Sequence, residues 1–365
     1  MQLLKSQNVY PDLFSMALEA IPIASNSADN PQFDLYLSLN FNQQWFSLLD
    51  GRIKLGLQGG QLKLRLKNSQ LHESNSQLDN YFEITTEASG TETTWIFTLE
   101  SAKPLVEDSL KRIKLGTIKI TSHSSSLKAN WIVFPADITL ADAEDLWRHD
   151  LSPNKHGVVE RAIIFFLCKH QLPSSLSCVQ LGTANLVAQE IWEEEKTPDI
   201  TFQAEELKQL IQQIHTAQTD KMDELVQLAK LNLKTDLAGG NLLAANLTGI
   251  DLNGANLKKA NLRGVDLTDA DLSEANLSYV NLSGADLSGA YLENVNLSHA
   301  NLYRTSLAIA NLIGANLSNA NLQEANLSHA SLNLAVVTEA KFGNNTGLSE
   351  EMKQILEQGG AICIS

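Results

Sequence analysis

From residue 237 to residue 342, a large apolar residue occupies every fifth position. It is leucine at each such position from Leu237 to Leu332, and Val337 and Phe342 extend the series to 22 pentads in one phase. The residue before it is Asn or Asp in 17 of the 22 pentads, and the residue two before it is Ala in 15. The other two positions vary among Ser, Gly, Lys, Glu, Tyr and His. This regularity predicts one repeated architecture for the whole segment.

A period of five excludes both an α-helix with one buried face and a single β-strand with one buried face. On an α-helix, successive leucines would advance by a net angle of about 140° and spread around the cylinder. On a strand, the odd spacing would send alternate leucines to opposite faces. Each pentad is therefore predicted to turn the chain, so that four pentads close a coil of about 20 residues and coils stack about 4.8 Å apart. Leucine would fill the interior, and backbone hydrogen bonds would join successive coils.

The A(N/D)LXX pattern of residues 235–344, as in Ala255-Asn256-Leu257, resembles that of the pentapeptide repeat proteins. The resemblance implies that residues 233–344 form a right-handed quadrilateral β-helix. The stretch that begins Phe342-Gly-Asn-Asn-Thr-Gly is also similar to the tails of cyanobacterial members. Known members include topoisomerase inhibitors that mimic DNA and regulators that act by protein contact. The resemblance therefore implies a binding surface and not a chemistry.

Residues 201–232 are predicted to form a helical linker that caps the first coil. Apolar residues recur at helical spacing in 203–216 and again in 220–231. An open β-helix exposes unpaired edges that invite aggregation, so helices directly before the first coil favour a capping role. An interdomain spacer and a weak dimerising coiled coil are the alternatives.

Residues 345–365 are predicted to form a C-terminal capping helix and a tail. Ser349 is suited to N-cap a helix whose first turn is acidic, and Gly359 is suited to end it. The residues predicted to seal the last coil are Met352, Ile355 and Leu356. Some family members dimerise through this end, which such a helix would oppose, so a monomer is favoured and a homodimer is the alternative.

Residues 1–200 are predicted to form a β-rich domain that carries helices after about residue 136. Apolar and polar residues alternate in five short segments, separated by turn signals such as Gly59-Gly60. These segments are 33–41, 62–66, 95–99, 118–120 and 129–133. Alternating strands at this spacing predict an antiparallel sandwich or barrel over residues 30–135. The domain resembles no family known to us.

Three helices are predicted in the rest of that domain. The first would open at Thr139 or Asp142 and run through Leu146 and Trp147, and the others would cover 156–170 and 186–195. The last ends in the acidic run 193–195, which is interpreted as a solvated helix face.

Composition supports a division near residue 200. All five Trp lie at or before Trp192, all eight Pro at or before Pro198, and ten of the eleven Phe at or before Phe202. The formal net charge of −15 argues against direct nucleic-acid binding of the ordinary basic kind. No apolar run approaches the roughly 20 residues that cross a bilayer, so no membrane partner is expected.

The cellular compartment is predicted to be the cytoplasm. The first twenty residues lack an apolar core with a small-residue cleavage site, so no signal peptide is expected. Cys168, Cys178 and Cys363 show no C-x-x-C spacing and are interpreted as reduced thiols.

Residues 20 apart should stack on one wall, which groups the variable positions into surfaces. On two adjoining walls the variable positions hold basic and aromatic residues: Lys258, Lys259, Arg263, Tyr279, His299, Tyr303 and Arg304. The two other walls hold the acidic residues Asp269, Glu274 and Glu293, followed by the apolar residues Ile309, Ile313 and Leu334. Tyr291 interrupts the Asn/Asp column between Asp271 and Asn311. The basic-aromatic group, together with Ile309 and Ile313, forms the candidate interaction surface.

Simple solvation of variable positions is the alternative interpretation of both groups. A DNA-mimicking modulator of topoisomerase is a second functional hypothesis. Residues 233–345 carry ten acidic and six basic side chains, a mixed surface where mimicry of DNA would favour a dense acidic stripe.

Residues 1–200 carry no pattern that predicts catalysis, a cofactor or a metal. The histidines at 149, 156 and 170, with Asp145 and Asp150, lack the spacing of helical metal sites. Cys168 lies in an apolar run where a thiol packs as a small hydrophobe. The sequence therefore predicts a non-enzymatic scaffold that binds an unidentified protein through its rigid repeat. A small-molecule-binding or enzymatic N-terminal domain remains an alternative.

Overall fold

The computed structural model describes residues 2–4, 6–23, 32–73, 82–89, 92–99, 109–120, 126–147, 151–173, 175–182 and 200–364. The chain divides into two compact units. The first comprises residues 1–144 and 167–200, and the second comprises residues 145–166 and 201–365. Residues 145–166 thus group with the repeat, although they precede the boundary that composition places near residue 200.

Fourteen strands are described in the first unit, all of them in antiparallel pairs. They are β1 (Gln2–Leu4), β2 (Ser6–Asn8), β3 (Phe14–Ile23), β4 (Gln32–Phe41), β5 (Gln44–Leu48), β6 (Gly51–Leu57), β7 (Gln61–Lys67), β8 (Ser69–Glu73), β9 (Phe82–Ser89), β10 (Glu92–Leu99), β11 (Ser109–Ile120), β12 (Ser126–Ile132), β13 (Ile138–Glu144) and β14 (Ser175–Gly182). The sheet orders are β1-β3-β4-β11-β8, β2-β14-β12-β7-β10-β9 and β13-β6-β5. Each of the five alternating segments falls on one of these strands, so the prediction of a β-rich first unit is confirmed.

Aromatic residues join the two larger sheets in the core of the first unit. The Trp131 ring on β12 stacks on Phe14 of β3, with ring centroids 5.1 Å apart, and meets Phe41 of β4 at 6.1 Å. Gly60 lies against the same indole, and a Cβ built there would be 2.5 Å from Trp131 Nε1. Alternating residues such as Leu35 and Leu64 are fully buried, as expected for strands with one apolar face.

The prediction of a helix that starts at Thr139 or Asp142 is wrong. Residues Ile138–Glu144 form β13, which pairs with β6 across Ile138 and Leu57. The alternation of Ile138 and Leu140 and the partner strand outweigh the local capping signal of Thr139. The predicted helix at 186–195 lies outside the described residues.

The second unit contains four helices in its described part and a short parallel strand pair. These are α1 (Pro153–His170, which continues into the first unit), α2 (Ile200–Thr216), α3 (Met222–Leu228), α4 (Glu350–Gln358), β15 (Lys341–Gly343) and β16 (Ile362–Ile364). The helices predicted at 156–170, 203–216 and 220–231 correspond to α1, α2 and α3. Helix α1 starts earlier than predicted because Ser152 Oγ accepts the Lys155 N–H at 3.3 Å and Pro153 suits the first turn.

Residues 241–346 form four ladders of parallel bridges in which each residue pairs with the residue 20 positions later. Ladder 1 starts at Asn241, ladder 2 at Asn246, ladder 3 at Asp251 and ladder 4 at Asn256. The leucine after each ladder residue is buried, as at Leu287. The bridges therefore join residues at the predicted interval of four pentads, and the segment has β-structure with its leucines in the interior.

A side-chain hydrogen bond turns the chain in most pentads. The Asn or Asp on the ladder accepts the N–H two residues later, as Asn276 Oδ1 does from Ser278 at 3.1 Å and Asp266 Oδ1 does from Thr268 at 3.0 Å. The third residue after the ladder residue then lies in the left-handed region, with φ of 64° at Gly264. This Asx-turn explains why Asn and Asp recur before leucine.

The first coil is covered by α1. Gly157 packs so closely on this coil that a Cβ would lie 2.9 Å from the Asn241 carbonyl oxygen. Asn154 Nδ2 donates to the Asn246 carbonyl, and the Asn246 N–H donates to Asn154 Oδ1, each at 2.8 Å. The helices within residues 201–232, now α2 and α3, were predicted to cap the first coil. These contacts come from α1 instead.

The C-terminal helix agrees with the prediction in its two caps but only in part in the residues that were predicted to seal the last coil. Ser349 Oγ accepts the Met352 N–H at 3.1 Å, and Gly359 caps the other end of α4, as predicted. Leu356 is buried, whereas Ile355 is exposed and does not seal the last coil. The chain then adds β16, whose Ile362 N–H donates to the Ala340 carbonyl.

Candidate interaction surface

Lysine and two rings form a stack on the pentads of ladder 4. The Tyr279 and His299 rings are parallel within 4°, with centroids 4.6 Å apart. Lys258 Nζ lies 5.7 Å from the Tyr279 ring centroid, a cation–π arrangement. Lys259 holds the same pentad position as Tyr279, one coil earlier, and its N–H donates to the Ser278 carbonyl at 3.0 Å. Four predicted residues therefore lie together because the coil places equivalent pentad positions in register.

The pentads of ladder 1 carry a second group around a carboxylate that sequence reasoning missed. Tyr303 Oη and Arg304 Nε both donate to Glu324, at 2.7 Å each, and the Arg304 guanidinium lies 4.9 Å from the Tyr303 ring. These bonds hold the pKa of Glu324 below its usual value, and the bond to Glu324 raises the pKa of Tyr303. Because Arg304 and Glu324 hold the same pentad position in successive coils, the stacking rule contains the signal for this pair.

Arg263 lies on ladder 1 but outside that hydrogen-bonded group. It is exposed, and the coil that contains Ser283 separates it from Tyr303. The seven predicted basic and aromatic residues thus form a stack, a carboxylate-bound group and one separate arginine. Together we call them the basic-aromatic face: Lys258, Lys259, Arg263, Tyr279, His299, Tyr303 and Arg304.

Large apolar side chains are also exposed, four of them on the pentads of ladders 2 and 3 and one, Val336, on ladder 4. The exposed fraction is 69% at Ile309, 36% at Ile313, 86% at Leu334, 56% at Tyr291 and 49% at Val336. We call these five residues the apolar patch. Val336 was not predicted, although its position on ladder 4, where Asn precedes it in four coils, marks it as a departure from the pattern.

The most exposed members of the patch occupy unfavourable backbone positions. Ile309 has φ of 62° and Leu334 has φ of 60°, in the left-handed region that favours glycine. A β-branched residue such as Ile309 is a genuine outlier there. Gly249 and Gly289 hold the same position as Ile309 in earlier coils, with φ of 62° and 72°.

The residues considered for chemistry are dispersed. The His156 and Trp147 rings form a T-shaped pair with centroids 5.7 Å apart, and burial lowers the pKa of His156. His149 and Asp150 lie outside the described residues. Burial raises the pKa of the Cys178 thiol, which disfavours the thiolate. Among the residues that the structure describes, no group of three or more His, Cys, Asp or Glu could hold a metal ion.

In the described part of the chain, no helix has the length and apolarity needed to span a membrane. The four ladders and the turn in each pentad place the chain among proteins built from stacked five-residue repeats. Residues 234–269, 270–307 and 310–344 match the family model of pentapeptide repeats, in eight copies. The chain belongs to the pentapeptide repeat family through this segment.

Several solved structures of pentapeptide repeat proteins are similar to the chain. One, from the Arabidopsis thaliana thylakoid lumen, is 26% identical over 34% of this chain and 76% of that protein, with a TM-score of 0.22. HetL of Nostoc sp. strain PCC 7120, involved in heterocyst differentiation regulation, is 36% identical over 29% of this chain and 54% of HetL, with a TM-score of 0.17. Another from Nostoc PCC 7120 is 32% identical over 31% of this chain and 84% of that protein, with a TM-score of 0.15. The chain thus spans about half the length of HetL. No curated protein matches the chain.

Proposed function

We propose that this protein is a non-enzymatic scaffold that binds another protein on the rigid surface of its repeat. In this proposal the repeat is a right-handed quadrilateral β-helix, as its family implies, and the four bridge ladders support that geometry. The first unit is a β-sandwich-like domain, supported by the contact of Trp131 with Phe14 between its two larger sheets. The protein acts in the cytoplasm as a monomer.

The observation that carries the proposal is the placement of Ile309 and Leu334. Each is a large apolar side chain in contact with solvent at a backbone position where glycine is favoured. The backbone position costs stability, and the exposed side chain gains little from burial, because the coil interior is filled by separate leucines. Burial under a partner would supply that missing gain and favour binding. A surface fixed by backbone ladders also loses little ordering entropy on binding.

Affinity purification of binding proteins with matched surface variants tests the proposal. The full chain is compared with a patch variant, Ile309→Ser with Leu334→Ser, and a basic-face variant, Lys258→Ser with Arg263→Ser. All four positions lie outside the coil interior, so circular dichroism and thermal unfolding should remain close to wild type.

The expected result is a protein from the source lysate that wild type retains and one of the two variants loses by at least tenfold. Retention of the same proteins by wild type and both variants would contradict the proposal. In that case binding would rest on the first unit, and the repeat would be a spacer.

A further inference from the structure

The charged residues of the repeat are segregated between its pentads. The pentads that start on ladders 2 and 3 hold seven acidic residues: Asp251, Asp266, Asp269, Asp271, Glu274, Asp286 and Glu293. The same pentads contain no lysine or arginine from residue 246 to residue 334. The pentads of ladders 1 and 4 instead hold Lys258, Lys259, Arg263, Arg304 and Lys341, with Glu324 and Glu339 as their acidic residues. One side of the repeat is therefore acidic and the other is mainly basic.

Four of the five members of the apolar patch lie on the acidic side, in the coils that follow the carboxylates. On ladder 3, Asp271 bridges to Tyr291, and Tyr291 bridges to Asn311. In the same pentads the Glu274 N–H donates to the Glu293 carbonyl at 2.8 Å, and the Asn294 N–H donates to the Ile313 carbonyl at 2.9 Å. Acidic and apolar residues thus share one hydrogen-bonded surface without a gap. We call ladders 2 and 3, with their pentads, the acidic–apolar face.

Five of the seven carboxylates of this face are exposed, and among the seven an ion pair is described for Asp251 alone. Asp269, Glu274, Asp286 and Glu293 are all exposed. Asp251 pairs with Lys234 at 2.6 Å, at the start of the repeat and away from the apolar patch. Glu293 Oε1 accepts a hydrogen bond from the uncharged amide of Asn311 at 2.5 Å. A cationic partner would therefore meet its complement next to the apolar residues.

We propose that the acidic–apolar face binds a segment of another protein in which a cluster of Lys or Arg residues lies beside large apolar residues. This inference rests on the proposed scaffold function and names the chemistry of the partner. The apolar residues of the segment would cover Ile309, Ile313 and Leu334, because exposed apolar patches of this kind mark sites of protein contact. Its cations would lie over the carboxylates of the earlier coils. From Asp251 to Ser331, ladder 3 spans four coil spacings, about 19 Å, which is the length of about 13 residues of α-helix.

Selection from a random peptide library on the immobilised full-length protein tests this inference. The library carries peptides long enough to span ladder 3 as a helix, and enriched peptides are then titrated in solution against wild type and four variants. The patch variant is Ile309→Ser with Leu334→Ser, and the acid variant is Glu274→Gln with Glu293→Gln. The basic-face variant, Lys258→Ser with Arg263→Ser, tests the opposite side, and Leu243→Ser, at a residue in a pentad of ladder 1 that is 47% exposed, is the matched control.

The expected result is enrichment of peptides with Lys or Arg beside Leu, Ile or Phe. Their affinity should fall at least tenfold in the patch variant and severalfold in the acid variant, and should stay within twofold of wild type in the control. The affinity for wild type should also weaken with added salt, and this dependence should be smaller in the acid variant.

Three outcomes would overturn the inference. Loss of the selected peptides only in the basic-face variant would overturn it and leave the scaffold function standing. A concentration-dependent dimer abolished in the patch variant would show that a second copy of the chain covers the face. Absence of any enriched peptide would overturn the inference alone if the lysate protein still depends on a repeat surface. It would overturn both proposals if that protein does not.

Discussion

The side-chain amide of Asn154 takes the place of a missing coil beside the backbone of Asn246. One coil later on ladder 2, the Asp266 N–H donates to the Ala245 carbonyl at 3.0 Å, and the Asp266 carbonyl accepts from the Leu247 N–H at 2.8 Å. Asn246 has no preceding coil to bond with. The Asn154 amide instead bonds to the N–H and the carbonyl of Asn246, at 2.8 Å each. A single buried side chain on α1 thus completes ladder 2 at its first rung.

Replacing Asn154 by leucine is expected to destabilise the second unit. Leucine is similar in size but offers no donor or acceptor, so the Asn246 N–H and carbonyl would lose their partner, and the Asp220 carbonyl would also lose the hydrogen bond that Asn154 donates to it at 2.8 Å. A buried group without a partner costs about 1–3 kcal/mol, so a total of at least about 2 kcal/mol is expected. Scanning calorimetry of the full chain measures the loss as a lower unfolding temperature.

Asn253→Leu is the control for this change, because Asn253 is exposed on the second unit. It should leave the unfolding temperature nearly unchanged. Equal shifts from the two variants would show that the Asn154 amide is not needed to complete the ladder.

Ile309→Gly is expected to stabilise the protein, although it removes a whole side chain. A non-glycine residue in the left-handed conformation costs about 1–2 kcal/mol, and Ile309 lies there with its side chain largely in solvent. Glycine removes this strain, with partial offset from its greater freedom in the unfolded chain. The expected gain is up to about 1 kcal/mol by denaturant unfolding. Ile309→Ser, which removes the apolar group but keeps a Cβ, should gain less, and a loss on Ile309→Gly would contradict the strain argument.

Periodicity in the sequence predicts the repeat well because each pentad carries its own turn and its own buried leucine. The same rule places Tyr279 on His299, and it contains the signal for the Arg304–Glu324 pair, which the sequence analysis missed, since each pair joins equivalent positions of successive coils. The cap by Asn154 could not be predicted, because it is far from Asn246 in the sequence and only tertiary packing brings them together. The same limit explains β13, where pairing with β6 outweighs the local signal of Thr139.

Leu287→Ala is expected to cost about 2–5 kcal/mol of stability, the range for deleting a buried leucine side chain. Leu287 is fully buried, and stacked coils above and below hinder collapse of the cavity. Leu243→Ala makes the same chemical change at a residue that is 47% exposed and should cost much less. Denaturant unfolding of both variants gives the comparison, and similar losses would argue against a leucine-filled interior.

Glu324 is expected to make stability depend on pH in the acidic range. Its bonds to Arg304 and Tyr303 lower its pKa from 4.5 in the folded state. A lowered folded pKa means that the contribution is fully present above pH 4.5 and is lost as pH falls below it. The unfolding temperature of wild type should exceed that of Glu324→Gln at pH 7, and the difference should shrink toward pH 3. The effect should be small and weaken in high salt because the group is exposed. A difference that grows on acidification would contradict the assignment.

Gly60→Ala is expected to destabilise the first unit more than Gly254→Ala destabilises the second. Both glycines have positive φ, 145° and 65°, so both alanines meet backbone strain. A Cβ at position 254 meets open space, whereas at position 60 it would lie 2.5 Å from Trp131 Nε1 in the core. Such overpacking adds about 1–3 kcal/mol to the backbone cost. Scanning calorimetry of both variants measures the two losses of stability. Equal destabilisation by the two changes would mean that the Trp131 indole can move aside and that close contact with Gly60 does not fix its position between the sheets.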